Sequence, residues 1–187
     1  WQNQPVLVSR TGYTGEDGFE LVVANELAQA MWNRLLELGT SKGLVAAGLG
    51  CRDTLRLEAA MPLYGHELNE QIDPLTAGLD FAVRFNKPEY PGKAAMEQIR
   101  DAGLKTRRVG LKLEGRRIAR EESPVLHDGA EVGKVTSGTF SPTLQQVIAM
   151  AYVPLSLAGD GQKLQVSLRG TPVNVEVVPL PFYKRSK

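Results

Sequence analysis

The stretch Leu164-Gln165-Val166-Ser167-Leu168, Arg169-Gly170, then Val173-Asn174-Val175-Glu176-Val177-Val178 reads as two short strands joined by a tight turn. Working backward along the chain, Val109-Gly110-Leu111-Lys112-Leu113, residues 131–137 and residues 147–153 are further β-rich runs. His127-Asp128-Gly129, Ser141-Pro142 and Gly159-Asp160-Gly161 punctuate them as turns. Regular short strands with turn signals between them predict a small antiparallel barrel or sandwich, jelly-roll-like in style, over residues 105–187.

The texture differs over residues 1–104. Residues 5–9 read as a strand, Gly12 to Gly18 as a turn-rich loop, and Phe19-Glu20-Leu21-Val22-Val23 as the returning strand, hence a hairpin with a long tip. Asn25 is the expected N-cap of a helix on which Leu27, Met31, Leu35 and Leu38 recur at spacings of three and four, closed by Gly39. A second helix is expected from about Gly50 to Ala60, ending before Pro62, with Arg52 and Arg56 on one face. Residues 62–78 read as irregular, residues 79–83 as a strand, and Gly92 to Ala102 as a short helix stopped by Gly103. The fold class is therefore α+β, with a boundary near residues 103–106.

Composition narrows the function. Of 187 residues, 42% are hydrophobic and only 6% aromatic, so the cores must be built mainly of Leu, Val and Ala. Lys plus Arg number 22 against 21 acids, a net charge of +1, which lacks the cationic excess of a general nucleic-acid binder. A single cysteine, Cys51, excludes an internal disulfide, fits a reducing compartment, and is expected to be a small buried residue. No apolar stretch approaches the roughly 20 residues that a membrane-spanning helix needs. The chain opens on Trp1 and almost at once enters the apolar run Pro5-Val6-Leu7-Val8, as expected of a piece of a longer protein.

Several residues could carry chemistry. The loop Gly12 to Gly18 matches neither the P-loop nor the dinucleotide spacing, and its acids Glu16 and Asp17 would repel phosphate. It reads either as a solvated hairpin tip or as a backbone-shaped wall with Tyr13 available for stacking. Glu20 is a strand glutamate: exposed in the ordinary case, or, if buried, in need of a donor such as the N–H edge of an amidine-like ring, which a carboxylate accepts two bonds at a time. Arg52 and Arg56 could pair with Asp53 or Glu58 on a helix surface, or clamp a carboxylate or carbonyl oxygen. His66 and His127 lie far apart, and no His, Cys, Asp or Glu spacing suits a metal. The basic tail after Pro181, with Tyr183 and Arg185, is either a solvated end or a flap over a cleft.

The run Ser9-Arg10-Thr11-Gly12-Tyr13-Thr14-Gly15-Glu16-Asp17-Gly18-Phe19-Glu20 closely resembles the signature of glycine cleavage T-proteins. The resemblance continues through residues 48–58, Pro62 to Leu68, Gly92-Lys93, residues 133–141, residues 149–153 and Pro181-Phe182-Tyr183, in order along the whole chain. It implies an aminomethyltransferase that moves the aminomethyl carbon from the dihydrolipoyl arm of an H-protein to tetrahydrofolate, with release of ammonia. It also implies a cytoplasmic setting, or the mitochondrial matrix in a eukaryote. It assigns folate contacts to Glu20, Arg52 and Tyr13, and from the tail to Tyr183 and Arg185, with no metal.

Chains of that family are about twice this length. The aspartate thought essential for catalysis falls in their N-terminal half, so no catalytic acid is expected here, this chain alone is expected to be inactive with weak or absent folate binding, and residues 1–60 should expose apolar surface. Two relatives offer alternatives. One is the folate-binding module of sarcosine or dimethylglycine dehydrogenases. The other is a non-enzymatic T-protein-like folate binder, whose Lys-Gly-Cys-Tyr motif is replaced here by Tyr90-Pro91-Gly92-Lys93.

Overall fold

The computed structural model describes residues 1–186. Strands β1 (Leu7–Ser9) and β2 (Glu20–Val22) form an antiparallel two-stranded sheet in which Ser9 faces Glu20 across the pair. Helix α1 (Asn25–Gly39) follows, then α2 (Leu49–Glu58) and α3 (Lys93–Ala102). The remaining strands are β3 (Thr106–Leu113), β4 (Pro124–His127), β5 (Ala130–Ser141), β6 (Gln146–Pro154), β7 (Lys163–Leu168) and β8 (Thr171–Val178). They close into an antiparallel barrel in the order β3-β6-β5-β4-β7-β8. Closure leaves this sheet no unpaired edge. The fold is α+β as expected.

Alternation fills the barrel. Val109, Leu111 and Leu113 of β3 point inward with Leu164, Val166 and Leu168 of β7 and Val173, Val175 and Val177 of β8. Strand β6 departs from that rule: Val147, Ala149, Ala151 and Val153 line the interior, yet Ile148 and Met150 on the opposite face are buried as well. The second face is covered from outside by Leu57 and Ala60 at the end of α2 and by Leu180 and Phe182 of the tail. The helix and the tail therefore share one apolar seat on the barrel wall.

Residues 1–50 lack such cover. No residue of α1 is buried, and Trp32, Leu35 and Leu38 are exposed, as are Leu7, Val8 and Val22 of the hairpin and Leu49 at the head of α2. This agrees with the expectation of exposed apolar surface at that end.

Four readings need correction. Residues 79–83 are not a strand: Asp80–Ala82 is a short 3-10 turn and Phe81 is exposed, because the apolar alternation there has no neighbouring strand to pair with. Asn25 is the first residue of α1 and not its cap; Ala24 occupies that position and contributes no side-chain bond. Strand β4 lies where the sequence predicts no strand, since four residues with a proline at the head carry little β signal. Cys51 is exposed and not buried, because it sits in the first turn of α2, where the helix projects beyond the barrel.

Candidate functional site

Four segments meet beside the barrel: the β1–β2 loop, α2, the chain from Met61 to Leu68, and the C-terminal tail. The loop is shaped by one ion pair and a hydroxyl–carboxylate bond of its own. Arg10 donates from Nε and Nη2 to the two oxygens of Asp17 at 2.9 and 2.7 Å, and its guanidinium lies 6.0 Å from the Phe19 ring. The neighbouring guanidinium holds the Asp17 carboxyl below its ordinary range. Thr11 donates its hydroxyl to Oε2 of Glu20 at 2.5 Å. Gly15 has φ +75°, and a Cβ there would stand 2.7 Å from the Cβ of Ala59, so the loop can press on the end of α2 only with glycine at this position.

Tyr13 reaches out of this loop. Its hydroxyl donates to the carbonyl of Pro62, and the Arg52 guanidinium lies over its ring at 4.9 Å. Burial raises the Tyr13 phenol above its ordinary value, so it remains a neutral donor.

The two arginines of α2 have opposite fates. Arg56 is fully buried and its guanidinium is consumed by the protein. It donates to Asp53 (2.8 Å), Glu67 (2.8 Å), the Met61 carbonyl (3.4 Å) and the Ser137 hydroxyl (2.8 Å). Arg52, one turn earlier, is exposed, and its side chain donates to no described residue. Proximity to the barrel decides this: α2 runs into the wall of β5 and β6 at its C-terminal turn, burying Arg56, Leu57 and Glu58, while its first turn stays clear.

Glu67 is the partner of the buried arginine. Its Oε2 also accepts the Leu63 N–H at 3.0 Å, and its Oε1 accepts the Thr136 hydroxyl at 2.5 Å. Strand β5 bulges between Val135 and Ser137, and two consecutive hydroxyl residues there meet the buried pair: Thr136 meets Glu67 and Ser137 meets Arg56 of α2. Glu58 is also buried but pairs with no cation among the described residues; it accepts the hydroxyls of Ser141 (2.5 Å) and Thr143 (2.9 Å). Tyr152 donates to the Glu67 carbonyl at 2.8 Å, and burial pushes its phenol up to about 12.

The tail closes over the same place. After a cis Leu180-Pro181 bond, the Tyr183 N–H donates to the Glu58 carbonyl at 2.9 Å. Its hydroxyl lies beside Glu16, which raises the Tyr183 phenol, and Arg185 Nε stands 4.0 Å from Oε2 of Glu16. Gly110 makes the passage possible: a Cβ there would meet Leu180 at 2.6 Å and Phe182 at 2.9 Å.

The structure thus brings Tyr13 and Arg52 together, and brings Tyr183 and Arg185 to the loop that carries Tyr13. Glu20 stands at the base of that loop, exposed, bonded to Thr11 and to none of the other four. Sequence reasoning does not single out Glu67 and leaves the role of Arg56 open; Arg56 stands between Leu55 and Leu57, a charge among apolar neighbours, but Glu67 lies between His66 and Leu68 and carries no such signal. His66 is turned toward Glu121 (3.2 Å) and the Thr136 carbonyl (3.3 Å). Among the described residues no group of three or more His, Cys, Asp or Glu is placed to hold a metal ion, and no helix is long and apolar enough to cross a membrane.

Two family descriptions match: GCVT N-terminal domain over residues 1–87, and glycine cleavage T-protein C-terminal barrel domain over residues 106–184. An aminomethyltransferase of Moorella thermoacetica is 52% identical over 181 residues, covering 97% of this chain and 50% of its own length. One of Bacillus cereus is 47% identical over 184 residues, covering 98% and 50%. The crystal structure of glycine cleavage system aminomethyltransferase T from Bartonella henselae superposes with a TM-score of 0.90 at 35% identity, over 96% of this chain and 50% of that one. The chain spans about half the length of the relatives it matches.

Proposed function

Because the chain belongs to the glycine cleavage T-protein family, we propose that it forms the folate-facing part of an aminomethyltransferase. The reaction would carry the aminomethyl carbon from the dihydrolipoyl arm of an H-protein to tetrahydrofolate and release ammonia. The contrast between the two arginines of α2 carries this reading. Arg56 gives its N–H groups to the protein, whereas Arg52 is held over the Tyr13 ring with its N–H groups uncommitted.

A guanidinium held by a ring face keeps its planar donor edge for a carboxylate or carbonyl oxygen. Glu20 has one oxygen occupied by Thr11 and a second that takes no donor among the described residues, which suits the N–H edge of a pterin. Tyr13 supplies a neutral aromatic wall fixed to the Pro62 carbonyl. Tyr183 and Arg185 lie across the loop at Glu16, where they can close on the bound substrate. These residues bind and orient. The family's catalytic aspartate belongs to the other half of the relatives' length, so the transfer itself is proposed to require that half, in the same polypeptide or a second one. The exposed faces of α1 and the hairpin agree with such a neighbour. The setting is proposed to be the cytoplasm, or the mitochondrial matrix of a eukaryote.

The test is formation of methylene-tetrahydrofolate from an aminomethylated H-protein by a protein that joins this chain to the N-terminal half of a relative such as that of Moorella thermoacetica. Turnover that falls with Arg52→Gln is expected. A folded hybrid with no turnover would sink the reading.

A further inference from the structure

On the barrel, the segment between β3 and β4 and the β7–β8 turn enclose a solvent-open cavity of about 550 Å³. Three guanidiniums line it, those of Arg117, Arg120 and Arg169, with the hydroxyl residues Ser123 and Thr171 and an apolar patch at Ile118. No acid lines it. Among the described residues, none of the three arginines makes an ion pair or donates a side-chain hydrogen bond. The two acids next in the chain make their contacts elsewhere: Glu121 lies 3.2 Å from Nδ1 of His66, and Glu122 pairs with Lys134. Like charges gathered round one hollow without counter-charge repel one another and focus a positive potential into it.

Arg169 adds an independent observation. Leu168 pairs with Thr171, so Arg169-Gly170 is a two-residue hairpin turn, with φ of +54° at Arg169 and +82° at Gly170. Positive φ at both central residues strongly favours Asn-Gly. An arginine there is held in the left-handed region at a cost to the fold, which is understandable if its side chain serves something else.

We propose that this cavity is a docking site for an acidic protein surface, with Asp or Glu carboxylates received by the three guanidiniums in paired N–H···O contacts. Glu121, next to Arg120 in the chain, contacts His66 of the segment whose Pro62 receives Tyr13. Identifying the partner as the lipoyl-bearing carrier rests on the functional reading above; the charge chemistry does not.

The test titrates the full chain with a six-residue glutamate peptide, then with the carrier. Wild type is expected to bind the peptide, with affinity falling about tenfold between about 50 and 300 mM salt. The triple variant Arg117→Gln, Arg120→Gln, Arg169→Gln is expected to lose that binding at least about tenfold while keeping its melting temperature. The single variant Arg169→Asn is expected to melt about 2–4 °C higher, as strain is relieved, and still bind more weakly. A residue with only a structural role would not separate those two readouts. Peptide binding that is absent in wild type, or unchanged in the triple variant, overturns the site. A carrier that displaces the peptide supports both readings. A carrier that binds without displacing it overturns the carrier's assignment to this cavity and leaves the function standing. A carrier that does not bind at all counts against the function, while the peptide result still decides the site.

Discussion

Removing the Glu67 carboxylate should cost far more than its place in an irregular segment suggests. Glu67→Ala strips acceptors from three donors at once: Arg56 Nη1 at 2.8 Å, Leu63 N–H at 3.0 Å and the Thr136 hydroxyl at 2.5 Å. Arg56 retains Asp53 and Ser137, but Asp53 is half exposed and cannot replace a fully buried counter-charge. Leaving one member of a buried pair alone typically costs about 3–5 kcal/mol. For a chain of this size that corresponds to a fall of about 6–20 °C in melting temperature. Calorimetry on purified variants measures it. The double variant Arg56→Met, Glu67→Leu removes both charges with similar volume and should recover most of the loss, since burying the pair roughly breaks even against apolar side chains. A Glu67→Ala cost below about 1 kcal/mol, or a double variant as unstable as the single one, would refute the view that this pair fastens α2 and the Pro62 segment to the barrel.

Four further outcomes follow from the same geometry. In a protein that joins this chain to the N-terminal half of a relative, Arg52→Gln should weaken reduced-folate binding about tenfold in titration calorimetry while leaving the melting temperature nearly unchanged, because one charge-assisted contact is lost and Arg52 is exposed; a large thermal loss with unaltered affinity would reverse its role. Gly15→Ala should destabilise by about 1–3 kcal/mol, because positive φ and a 2.7 Å approach to Ala59 are both violated; an unchanged denaturant midpoint would show that the loop does not rest on α2. The Tyr152 phenol is raised to about 12, so the folded state holds a proton that the unfolded state loses near 10, and this stabilisation is full below pH 10 and lost as pH climbs toward 12. Tyr152→Phe should flatten part of that alkaline decline and cost about 1 kcal/mol at neutral pH for the bond to Glu67; a phenolate titrating at 10 in an absorbance titration would disprove it. Gly110→Val should displace Leu180 and Phe182 and make the tail sensitive to trypsin at Lys184 and Arg185; wild-type resistance would mean the tail does not need that passage.

Local pattern explains what could be read from the residues and what could not. The hairpin of β1 and β2, the helices α1 to α3 and most barrel strands announce themselves by periodicity and turn residues, signals that act over a few neighbours. The same signals misplace residues 79–83, where alternation finds no partner strand, and miss β4, whose four residues are strand only because β5 and β7 flank them. Tyr13 and Arg52 could be singled out in advance; that they touch could not, because 39 positions and an intervening helix separate them in the chain.

The sequence by itself determined the α+β class, the run of β-rich segments after residue 105, the absence of a metal-type spacing and the family resemblance carried by residues 9–20. Only the tertiary structure decided which of two arginines four residues apart is free. A 3.6-residue period puts Arg52 and Arg56 on one face of α2, but says nothing about what covers that face along its length. The barrel wall covers it at Arg56 and ends before Arg52, so one cation is spent on Glu67, Asp53 and Ser137 and the other remains available over Tyr13. That division depends on where β5 and β6 happen to stand, some 80 residues further along the chain.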